Sequence, residues 1–341
     1  MRFDSEKKKQ IVLYLLGKIA QNDPSVTKSV AEAYGINQNT VHTYVKELLD
    51  QNVIRRVKRG KYELVEQAYN YRLARSKGEL NDDTYAFVKC LRPHISRYAE
   101  NVQRIWEYTF SEMVNNVIDH SDAENLTVFV WQNYLSTRTA IVDDGVGIFE
   151  KIRNYFAYAS LDEAICELFK GKLTTDAANH SGEGIFFSSK LMDRFIIFSS
   201  GKTFTNNRYD HEKVLTVSDQ ESGGTVVFME LSNFTHKQAR EVFDLYSDVD
   251  GGFTTTRIPL KNIFDGAPVS RSQAKRVCSN LEKFREVILD FAELDWMGQG
   301  FAHQIFVVFQ NRYPEIKLSP VNMNEAIAKM HQHVLSSAES E

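Results

Sequence analysis

The sequence predicts a multidomain α/β (α+β) protein, and three observations carry that expectation. Near the N-terminus, two short amphipathic helices flank a glycine and lead into an alternating basic segment. Residues 112–184 then hold a polar-faced helix, an apolar run that ends in two carboxylates, and a glycine-opened helix. Beyond the DVDGG stretch at residues 248–252, strands and helices alternate. A chain of 341 residues can bury two or three separate cores. The expected division is residues 1–66, a linker at 67–89, a central domain at 90–247 and a C-terminal domain at 253–341.

Residues 8–20 have the apolar spacing of a helix that stops near Asp23 and Pro24, and a second helix begins around residues 25–27. Gly35 turns the chain, Asn37 is placed to cap the next helix, and Val41, Tyr44, Val45 and Leu48 give that helix a buried face. This is a helix-turn-helix pattern. The following VIRRVKRGKYELV alternates around Gly60 and carries Arg55, Arg56, Lys58, Arg59 and Lys61 with no acid before Glu63. It resembles the β wing of winged-helix DNA-binding domains. Residues 25–63 are therefore expected to bind DNA, with Gln38, Asn39 and His42 facing base edges and Arg55, Arg56, Lys58 and Arg59 neutralising phosphates. The competing expectation is a protein-binding module whose hairpin is simply solvated. Residues 64 to about 90 are mixed and polar, which reads as a linker with helical parts, and RLARSKGELNDD is its least structured piece.

From residue 82 to 120 the pattern is helical, interrupted at Pro93. His94 follows that proline and lacks an acidic neighbour, so it reads as an ordinary helix-start histidine rather than a phosphate acceptor. In EMVNNVIDHS (112–121), Glu112, Asn116 and His120 fall four residues apart and share a helix face. In VDDGVGI (142–148) a strand delivers Asp143 and Asp144 into a turn where Gly145 and Gly147 let the backbone approach a ligand. In HSGEGIFFSS (180–189) Gly182 and Gly184 open a helix, and a helix N-terminus suits phosphate groups. Residues 126–131, 137–142, 195–203, 213–217 and 225–231 read as strands.

The order of these patterns, closed by GGTVVFMEL in which Thr225 follows Gly223 and Gly224, resembles the GHKL ATPases, the superfamily of gyrase, Hsp90, histidine kinases and MutL. The resemblance covers roughly residues 90–232, and the ExxxNxxxH form of the first pattern looks most like the anti-sigma-factor serine kinases. It implies an α/β sandwich that binds ATP with Mg2+. Asp143 would accept from the adenine amino group, with Asp144 standing where the family often has Asn. Asn116 would ligate the metal, and Glu112 would act as general base. Gly145, Gly147, Gly182, Gly184 and Thr225 would shape the nucleotide site, and His120 would either partner the phosphates or cap its helix. Residues 149–179 correspond to the family's ATP lid, from which Lys170 or Lys172 would reach a γ-phosphate. Three activities fit: ATP hydrolysis, phosphorylation of serine or threonine on a partner protein, and nucleotide holding without turnover.

The C-terminal alternation contains VILDFAELDWMGQGFAHQIF, which resembles STAS domains and more closely a STAS-like domain fused to such ATPases. Phosphorylated STAS domains place a serine ahead of the helix, whereas this chain has Gly298, Gln299 and Gly300. Phosphorylation of this domain by its own neighbour is therefore not expected, although a separate protein partner is. The net charge of -4 argues against wholesale coating of nucleic acid and confines any DNA contact to a local patch. Cys90, Cys166 and Cys278 are far apart and form no CxxC, which fits a reducing compartment. No apolar run reaches membrane length, so a cytoplasmic protein is expected, and pairing into a homodimer is expected by fold-level analogy.

Overall fold

A computed structural model describes residues 5–172, 182–206, 223–248, 250, 252–264 and 266–338. Its N-terminal unit is three helices and a hairpin, as the sequence leads one to expect. Helix α1 (Ser5–Ala20) buries Ile11, Leu15, Leu16 and Ile19 along one face. Helix α2 (Val26–Tyr34) ends at Gly35, whose φ of 60° is the left-handed conformation that stops a helix cleanly. Asn37 then caps α3 (Gln38–Asp50), its side chain accepting from the Asn39 backbone N–H at 2.8 Å. Strands β1 (Ile54–Lys58) and β2 (Lys61–Leu64) pair antiparallel around Gly60.

The central layer is a six-stranded sheet, every adjacent pair antiparallel, in the order β3-β4-β5-β8-β6-β7. Its strands are β3 (Gln67–Ala74), β4 (Asn125–Gln132), β5 (Ser136–Asp143), β6 (Arg194–Ser199), β7 (Lys202–Thr205) and β8 (Thr225–Ser232). Helices α4 (Asp83–Cys90), α5 (Arg92–Ile95) and α6 (Glu100–His120) precede β4. The long α6 buries Trp106, Phe110, Met113 and Val117, in one core with Val128 and Val130 of β4. Between β5 and β6 lie α7 (Ile148–Tyr155), α8 (Leu161–Lys170) and α9 (Gly184–Leu191), and α10 (Ala239–Asp244) follows β8. His180, Ser181 and the expected strand at 213–217 lie outside the described residues.

Residues 67–89 are not a linker. β3 pairs with β4 along its whole length, and Phe87 of α4 packs on Phe110 of α6 with ring centroids 6.1 Å apart. Leu80, in the stretch that reads as least structured, is fully buried, and Arg75 donates to the carbonyls of Ala123 and Ile118. An edge strand carries polar residues wherever it meets water, so Gln67, Asn70 and Arg72 blur the alternation that would reveal it.

The C-terminal unit is a parallel sheet in the order β11-β10-β9, from β9 (Thr255–Pro259), β10 (Glu286–Asp290) and β11 (Lys317–Val321). Between its strands run α11 (Arg271–Cys278), closed at its start by a Ser270–Gln273 capping box, and α12, which begins at Gln299–His303 and continues through Gln310–Arg312. Helix α13 (Glu325–Ala338) closes the unit. Its hydrophobic core includes Phe186 and Phe187 from α9, so the central and C-terminal layers share apolar contacts. Among the described residues no helix is long and apolar enough to cross a membrane.

Candidate functional site

A cavity of about 250 Å³ lies between α6, the end of β5 and the start of α9. Glu112, Asn116 and His120 reach it from successive turns of α6, as their four-residue spacing requires, while Asn115 does not line it. Asp143 enters from the end of β5, Gly147 from the turn that follows, Gly182 and Gly184 from the start of α9, and Thr225 from the start of β8. Apolar walls such as Val117, Ile148 and Val227 complete it. Six of the expected binding residues and the expected base thus converge from four separate stretches of chain.

Asp143 is only 5 % exposed, and burial pushes its carboxyl up to about 6, against hydrogen bonds from Gly145 and Thr225. The Gly145 N–H donates to its Oδ1 at 2.9 Å. Asp144 points elsewhere, accepting from the backbone and side chain of Asn125 at 2.9 and 2.8 Å. Burial raises its pKa and these bonds outweigh that, leaving it lowered. The neighbouring carboxylates therefore play different parts, since Asp143 faces the cavity and Asp144 ties two strands together.

The glycines are there for space. A Cβ at Gly145 would overlap the Ser121 carbonyl, so Gly145 shapes the turn without lining the cavity. Gly147 has φ 87°, and a Cβ there would fall 2.7 Å from Ser199 Oγ. A Cβ at Gly184 would overlap the Glu112 carboxylate, so that acid sits directly against the N-terminus of α9. Thr225 accepts from the Ile148 N–H at 3.0 Å and joins β8 to the turn after β5.

Neither lysine expected to reach a γ-phosphate faces the cavity. Lys172 donates to the Lys283 carbonyl at 3.0 Å and lies 4.9 Å from the Phe284 ring centroid, on the C-terminal unit. Lys170 is 1 % exposed and bonds Glu167 at 2.6 Å and the carbonyls of Arg276 and Ser279 at 2.9 and 2.6 Å. Both bind the two units together. Among the described residues, the lysine that does line the cavity is Lys151, one turn into α7, which also approaches Asp122 at 3.3 Å. Its place four residues after Gly147 is the signal that the sequence offers for it.

At the other end of the chain, Gln38, Asn39 and His42 are exposed on the first turns of α3. Arg56, Lys58 and Arg59 are exposed on the hairpin, and Arg55 is also exposed but paired with Glu63 at 3.1 Å.

Residues 273–328 match the family model described as a STAS-like domain of unknown function (DUF4325). No curated protein matches the chain. In the structure a Cβ at Gly298 would fall 2.6 Å from the Val269 carbonyl oxygen, whereas one at Gly300 would meet nothing nearer than 3.5 Å. The family match thus identifies a STAS-like domain within the C-terminal unit, spanning β10, α12 and β11.

Proposed function

We propose that the central unit binds ATP with Mg2+ and hydrolyses it, and that nucleotide occupancy is coupled to DNA binding by residues 25–63 and to the STAS-like domain. The observation that carries this reading is the convergence of Glu112, Asn116, Asp143, Gly184 and Thr225 on one cavity.

The donor set suits the ligand. A buried carboxylate on a strand end, Asp143, can accept from an exocyclic amine while Val117, Ile148 and Val227 flank a flat ring. Gly182 and Gly184 leave the start of α9 open for phosphate oxygens to approach backbone N–H groups. Among the described residues no group of three or more His, Cys, Asp or Glu could cage a metal. Asn116 with phosphate oxygens and water would then hold Mg2+, which supplies charge neutralisation on the transferring phosphoryl. Glu112, against the phosphate end of the cavity, accepts a proton from the attacking water.

Labelled ATP tests this directly. Hydrolysis releases phosphate into solution, and Glu112→Gln should keep nucleotide binding while losing turnover. Label transferred to an added protein would instead support the serine/threonine kinase reading. Binding without turnover in the parent would leave a nucleotide-responsive scaffold. Pairing of two copies is a further part of the reading, tested by sedimentation with and without ATP.

A further inference from the structure

A second, smaller cavity of about 130 Å³ lies where the central and C-terminal units meet, and nothing in the nucleotide reading uses it. Its floor is the carboxyl end of two adjacent parallel strands, with Pro259 closing β9 and Asp290 closing β10. In open parallel sheets that end is where ligands gather. Its roof is Ser189 and Lys190 of α9, and Phe169, Phe204 and Asn206 form the sides.

The charges within it do not balance. Arg257 clamps Asp290 Oδ2 through Nε at 3.0 Å and Nη2 at 2.6 Å. Asp290 Oδ1 accepts from Asn322 at 2.8 Å and the Ala292 N–H at 3.0 Å, so this carboxylate is already fully used. Lys190 adds a second cation. Among the described residues its ammonium has no hydrogen bond or ion pair, and lies only over the Phe186 ring at 5.0 Å. A desolvated ammonium whose nearby carboxylate, Asp290, is already clamped by Arg257 is costly, and that cost is relieved by an anion. Burial accordingly holds the Lys190 amine down at about 8.

We infer that this cavity is a binding site for a small phosphoryl oxyanion, held between Lys190 of α9 and Arg257 of β9. The anion would tie α9 to β9 and β10. Because Gly184 at the opposite end of α9 lines the first cavity, occupancy of the second site would fix the helix that both sites share.

The experiment uses the full chain and inorganic phosphate, with chloride at matched ionic strength as the control. A small amine-acylating reagent is applied near pH 8, and labelled lysines are mapped by mass spectrometry. The expected result is saturable protection of Lys190 by phosphate, retained in Asp143→Asn, which separates this site from the nucleotide cavity. Lys190→Met, which keeps the volume and removes the charge, should weaken phosphate binding by about tenfold or more in calorimetry. Equal labelling of Lys190 in phosphate and chloride would overturn the inference without any variant. So would protection by acetate but not phosphate, or undiminished phosphate affinity in Lys190→Met.

Discussion

The cavity beneath α9 and the basic face at the N-terminus are both candidate binding surfaces, and they are built on opposite principles. In the cavity each group has one position. Asp143 is desolvated, Gly184 has no room for a Cβ, and Lys170 behind it is held by three acceptors. On the N-terminal face, Arg56, Lys58 and Arg59 stand in water and Arg55 makes an exposed pair with Glu63. Such pairs and charges contribute little singly and act by number. Single substitutions should therefore be severe in the first region and graded in the second.

The largest effect is expected at Lys170. Lys170→Met leaves the buried Glu167 carboxylate without its cation and should cost about 3–5 kcal/mol in urea unfolding. An unchanged midpoint would mean the buried pair does not join the two units. Next is Asp143→Asn, which should weaken ATP binding by about 1.5–3 kcal/mol in calorimetry while leaving the protein folded. Affinity should also depend on pH. With the free carboxyl at about 6, protonation competes with the nucleotide below that value, so ATP affinity falls by up to tenfold for each pH unit below it. The same raised pKa means that ionised Asp143 weakens the unliganded fold above about 6, and this cost fades as pH falls towards the ordinary 3.8. A flat affinity profile between about pH 5 and 7 would remove Asp143 from the contact. The smallest effect is on DNA. Neutralising Arg56 or Lys58 should lower the log–log salt slope of binding by about 1 each, measured by fluorescence anisotropy. Loss of all binding from one such change would break the contrast between the regions.

What could be read from the sequence follows the same division. Spacing on a helix is geometry, so the periodicity of α6 suffices to put Glu112, Asn116 and His120 on one face, whereas their meeting with Asp143 is implied by the family resemblance and not by any local pattern. The partners of a long flexible side chain are not geometry of that kind. Lys170 finds the carbonyls of Arg276 and Ser279, 106 and 109 residues away, and no local pattern announces them. Lys190 is the one charged residue of α9, and no local pattern announces the β9 and β10 ends that meet it in the second cavity. The edge strand β3 is hidden because its neighbour lies on one side only, which leaves most of its residues to water. The three-helix unit, the closing layer of β and α elements and the STAS-like domain are all legible, since caps, turns and alternation are local signals.

The most direct measurement is isothermal titration of Mg-ATP into the full chain and into Asp143→Asn at about pH 7.5, well above the carboxyl's own titration. The parent should give a saturable one-site isotherm, and the variant at least about tenfold weaker binding. No heat of binding in the parent, or identical isotherms for the two proteins, would contradict ATP binding at Asp143.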